Sequence, residues 1–191
     1  MNKILNFLTL GILLIHCSIT WAFSPSQVVK SAKSQIGKTL YYDAAYTQLQ
    51  YPMGDVPIIK GVCTDVIIRA LREQNIDLQK NIHEDMKGNF SAYPQKWGLK
   101  RPDKNIDHRR VPNIATYFKR QGYAVNNTEF KAGDIVTWDL GRGLTHIGIV
   151  SDRVDFANKT PLIIHNIGSG TQENNILYQY KITGHFRIKN N

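Results

Sequence analysis

A chain of 191 residues that is 42% hydrophobic and 20% charged has the make-up of a globular protein with one core, which sets it apart from disordered and low-complexity chains. Its 24 Lys and Arg outnumber 15 Asp and Glu, for a formal charge of +9, and its 2 cysteines are too few for a disulfide framework.

The first residues place Lys3 ahead of an apolar run ending near Ile15, too short to span a bilayer comfortably, with Thr20 and Ala22 as small residues before a cut. This predicts a signal peptide over 1–22 and one catalytic domain over 23–191, in the periplasm or secreted, with no stable membrane insertion after cleavage. A lipid anchor on Cys17 is the alternative, disfavoured by His16 just before it. Without Lys3 the charge becomes +8, and export turns that charge away from nucleic acid and towards anionic wall polymers and acidic peptides. Only Cys63 survives maturation. It cannot close an internal disulfide, so it is either a buried small apolar residue or a thiol kept for its chemistry.

Ser24-Pro25-Ser26-Gln27 reads as a helix start, followed by Val28, Val29, Ala32 and Ile36 at helical spacing and a stop at Gly37. From 38 to 60, tyrosines, prolines and Gly54 predict loops that could wall a groove. Val62, Val66, Ile67, Ala70 and Leu71 mark a second helix, with Arg69, Arg72 and Glu73 facing away and Cys63 in the first turn. Residues 75–110 read as irregular, and Ile114, Tyr117 and Phe118 as a short helix stopped by Gly122. Strands follow at 133–139 and 145–150 around Gly141-Arg142-Gly143, then at 161–167, with further strands expected around Leu177-Tyr178 and Phe186-Ile188. Helices first and an antiparallel sheet second make an α+β class.

A thiol attacks as thiolate, and the positive end of a helix lowers its pKa, so Cys63 suits a nucleophile whose own N–H could face an oxyanion. His146, near a strand start with Gly148 leaving its face open, suits the base. His165, a polar ring between Ile163 and Ile167, suits the group that orients it, with Asn166 as fallback if the register shifts. His83, Glu84 and Asp85 are adjacent and lack a second cluster, so no metal or other cofactor is expected. Asp134 reads as a turn former. Arg109 and Arg110, with His108, have the fork chemistry to bind carboxylates.

The order Cys63, Gly133-Asp134, His146-Ile147-Gly148-Ile149-Val150, His165 resembles the NlpC-type cell-wall peptidases of the papain-like superfamily. The runs Gly61-Val62-Cys63-Thr64-Asp65-Val66, His83-Glu84-Asp85-Met86, 105–113 and His165-Asn166-Ile167-Gly168 are similar to the YijF-type family of exported bacterial proteins, placed in that superfamily. The resemblance implies a papain-like fold, a catalytic Cys63, His146 and His165, and an oxyanion tyrosine at Tyr42 rather than Tyr41. It also implies hydrolysis of amide bonds in peptidoglycan stem peptides. Asp65, His108, Arg109, Arg110 and Asn166 are the substrate-binding candidates, and the oligomeric state is left open, with a monomer favoured. Val62 before Cys63 and Thr64-Asp65 after it depart from the Asp-Cys-Ser-Gly usual in NlpC-type enzymes. Two other functions compete. One is acyl transfer through the same thiol, although lipid acyltransferases of the superfamily tend to run His before Cys. The other is a non-enzymatic wall-binding module.

Overall fold

The computed structural model describes residues 22–189, so Cys17 and the expected signal peptide up to Trp21 lie outside the described residues. The chain is α+β. Four helices, α1 (Pro25–Lys33), α2 (Cys63–Arg72), α3 (Leu78–Asn89) and α4 (Val111–Arg120), precede most of the sheet. Two short strands, β1 (Tyr41–Tyr42) and β2 (Lys60–Gly61), pair in parallel. The main sheet holds β3 (Ile135–Gly141), β4 (Leu144–Val154), β5 (Pro161–His165), β6 (Gln172–Asn174) and β7 (Lys181–Phe186), antiparallel throughout in the order β6-β5-β4-β3-β7.

Local chemistry explains most boundaries. Ser24 accepts from the Gln27 N–H and Pro25 opens α1, where a missing N–H costs nothing. The β3–β4 hairpin turns through Gly141, Arg142 and Gly143, all at positive φ, a conformation that two glycines supply cheaply. One sheet face, through Ile135, Ile147, Ile149, Ile164 and Phe186, packs on Val29, Val66, Ile67, Ile114 and Phe118 of the helices. The other face gathers Val136, Trp138, Val150, Ile163 and Leu177 into a second cluster.

Three expectations are corrected. Residues 78–89 form α3, because Asp77 caps it through Gln79 and Lys80 and Leu78, Ile82 and Met86 bury one residue per turn. That stripe is too narrow to stand out among polar neighbours. Leu177-Tyr178 is a turn, not a strand; Leu177 is buried because its carbonyl accepts from the Trp138 indole. Arg69 faces inward: α2 is buried from Cys63 to Leu71, and Arg69 donates to Asp55, Thr39 and the carbonyls of Val56 and Lys60. No helix among the described residues is long and apolar enough to cross a membrane.

Candidate active site

Val62 is extended and α2 begins at Cys63, so the thiol stands at the first helical position, where backbone N–H groups have no intrahelical acceptor. Asp65, two residues on, turns its carboxylate back to the Val62 N–H at 2.7 Å and so fixes the entry to the helix. The sulfur lies within hydrogen-bonding reach of the Ile147 N–H on β4, the residue after His146, and of the Tyr42 hydroxyl on β1. Burial nevertheless dominates. It pushes the Cys63 thiol up to about 12 against the opposing pull of the Ile147, Thr64 and Cys63 N–H groups, so the resting sulfur is a thiol. The N–H groups at the helix end lower the thiol as expected, and burial outweighs them.

His146 and His165 share one face of the sheet, with Nε2 of the first 3.0 Å from Nδ1 of the second and their rings edge to face at 5.1 Å. Both are buried, and desolvation pulls His146 down to about 3, helped by His165, and His165 to about 4. The pair rests neutral. Trp138, directly across from His146 in the β3–β4 register, covers it at a ring separation of 5.8 Å. Gly148 provides the clearance: a Cβ there would stand 2.5 Å from Ile163 Cγ2 and 3.3 Å from His165 Cβ. We expect Gly148→Ala to force β5 away from β4 at a cost of about 1–3 kcal/mol, measured as a melting midpoint lowered by ~2–4 °C per kcal/mol. An unchanged midpoint would show that this contact relaxes freely.

Asn166 takes no part in orienting His146. Its amide donates to the Gly61 carbonyl at 3.1 Å, and the same oxygen accepts the Asp43 N–H at 3.1 Å. One acceptor, two residues ahead of Cys63, thus binds the residue after Tyr42 and the residue after His165. Ile167, expected beside His165, lies beyond β5 and is exposed.

The substrate-binding candidates divide. Asp65 and Arg109 face each other in a buried fork, Nε to Oδ1 at 3.0 Å and Nη2 to Oδ2 at 2.9 Å, while Arg109 also donates to the carbonyls of Asp43 and Ala45. This ties the Tyr42 segment to α2, so their role is to hold the frame. His108 is buried with Nδ1 unpartnered and pulled down to about 3, first by burial and then by the charges of Arg109 and Arg72. Arg110 alone of that run turns a usable face outward. It lines, with Tyr42, Cys63, Lys96, Trp97 and Thr145, a cleft of about 280 Å³ over the sulfur. Sequence reasoning missed Lys96 and the hairpin residues 143–145 as its walls, since their closeness to Cys63 is purely tertiary. Asp134 is an anchor, accepting from His185, Arg187 and the Lys131 N–H.

A family model described as a domain of unknown function, DUF1287, matches residues 29–188, which take in Tyr42, Cys63, His146 and His165. The chain belongs to the DUF1287 family. It is also 57% identical over 165 residues to "Uncharacterized protein YijF" of Escherichia coli (strain K12), a match covering 84% of this chain and 80% of that protein. The DUF1287 match therefore runs from within α1 to beyond β7 and takes in every residue that lines the cleft.

Proposed function

We propose that this DUF1287 protein is an exported thiol hydrolase of papain-like, NlpC-type architecture that cleaves amide bonds in peptidoglycan stem peptides. One observation carries the reading: a thiol at the first position of a buried helix lines an open cleft and abuts the strand bearing His146, whose ring is held at 3.0 Å by His165. His146 Nε2 is engaged by His165, so Nδ1 is the nitrogen left to take the thiol proton. With its proton on Nε2, His146 donates to His165 Nδ1 and keeps Nδ1 bare, the tautomer a general base needs.

Because the resting pair is neutral, proton transfer accompanies attack. Cys63 Sγ bonds to the substrate carbonyl carbon as His146 receives the thiol proton. The oxyanion finds the Cys63 N–H and the Tyr42 hydroxyl, both fixed in advance. His146 then returns the proton to the amine as the C–N bond breaks, leaving a thioester that water hydrolyses with His146 again as base.

The test is to purify the protein expressed with its own leader, beside Cys63→Ala and His146→Ala variants, and follow peptidoglycan fragments by mass spectrometry. New amino and carboxyl termini should appear with the wild type and be absent with both variants. Cleavage by the Cys63→Ala protein at the wild-type rate would sink the reading. Acyl transfer to an added amine without net hydrolysis would change the reaction but keep the thiol.

A further inference from the structure

We infer that the cleft beside Cys63 contains a carboxylate subsite formed by Arg110 and Lys96, so that the scissile amide belongs to a peptide bearing a free carboxylate close by. The inference rests on the thiol-hydrolase reading for the word scissile, and on the cleft itself for the charge. Three cations, Lys96, Arg109 and Arg110, line the cleft, and no acidic residue does. Arg109 is spent on Asp65. Asp107 is buried beside Arg110 and takes one bond from its Nη1, at 3.2 Å, besides accepting the Asp103 N–H.

The geometry of Arg110 is what makes it a receptor. Its guanidinium carbon lies 4.1 Å from the centre of the Trp97 ring, so the plane of the group is pinned against the indole face. Nε and Nη2 carry no bond to protein among the described residues, which leaves in-plane donors for the two oxygens of one carboxylate. Stacking removes rotamer freedom before the ligand arrives, so less is lost when it binds. Lys96, exposed one residue before Trp97, adds an unfixed positive charge on the same wall and has no acidic partner among the described residues. A neutral peptide would leave these donors to water.

The experiment compares two peptides that differ only in carboxylate against carboxamide at one side position. Affinity is measured with the uncleaving Cys63→Ala protein, and turnover with the wild type. The carboxylate peptide should bind at least about tenfold more tightly, and the preference should weaken as salt rises. Arg110→Gln should bring the ratio close to one. Arg110→Lys, which keeps the charge and loses the fork, should fall between, and Lys96→Gln should lower the ratio by a smaller factor. In turnover the loss should appear in KM rather than kcat. Should Arg110→Gln fail to fold, as judged by circular dichroism, the Arg110→Lys and Lys96→Gln ratios decide. Equal affinity for the two peptides overturns the subsite. A clear preference with no turnover of either peptide would leave the subsite standing and bring down the hydrolase reading alone.

Discussion

Between pH 7 and pH 5 the protein should lose about 6 kcal/mol of folding stability, a large part of what a domain of this size possesses. Three buried imidazoles are responsible. Burial, the leading cause for each, holds His108 and His146 near 3 and His165 near 4 in the folded chain, against an ordinary value near 6.5 when unfolded. The sign follows from proton uptake. Below 6.5 the unfolded chain binds protons that the folded chain refuses, so stability is present above that value and falls as pH drops through it. By pH 5 each ring contributes roughly 2 kcal/mol to the loss. The lowered carboxylates of Asp85 and Asp152 act in the same direction but only at lower pH, so the first limb belongs to the histidines. Urea titrations at pH 7, 6 and 5 measure the slope, and His108→Asn should reduce it by one proton. A stability flat across this range would mean that these rings titrate in the folded chain as they do in water.

Breaking the Asp65–Arg109 pair should be the most damaging single change away from the sulfur. Asp65→Ala leaves a guanidinium whose side chain is 2% exposed without its counter-ion, and it strips the Val62 N–H of its acceptor. The expected cost is about 3–5 kcal/mol. Arg109→Lys should also be severe, since an ammonium cannot reproduce the fork to Asp65 together with the bonds to Asp43 and Ala45. The discriminating measurement is the double variant Asp65→Ala/Arg109→Met. Removing both charges spares the cost of an isolated buried ion, so the double variant should be more stable than Asp65→Ala. If instead the two losses add, the pair stabilises the fold in a way that burial of charge does not describe.

Much of the frame could be read in the residues because its signals are local. The Ser24 cap, the Gly141-Arg142-Gly143 turn and the spacing of Val62, Val66, Ile67, Ala70 and Leu71 each act over a few positions, and all lie where the structure has an element boundary or a buried face. The strand pattern also set His146 and His165 on one face, as found. Partnership across long separations was not legible. Nothing local distinguishes Arg109, buried on an aspartate 44 residues away, from Arg110, stacked in the open cleft. The same blindness put Arg69 in solvent and hid α3, whose one apolar residue per turn suffices only because the remainder of the helix has neighbours to lean on. The protonation of Cys63 lay out of reach for a related reason: a helix end is visible in sequence, whereas the depth of burial that outweighs it is not.

The shared acceptor at Gly61 limits how this molecule can breathe. Its carbonyl holds Asp43 and Asn166 at once, and a side chain at Gly61 itself would press within 2.9 Å of the Asp65 carboxylate. Nucleophile, tyrosine and paired rings are therefore lashed to a common post. Prising helices from sheet would shear that knot, whereas Trp97 and Leu144 stand exposed in the wall of the cleft and outside it.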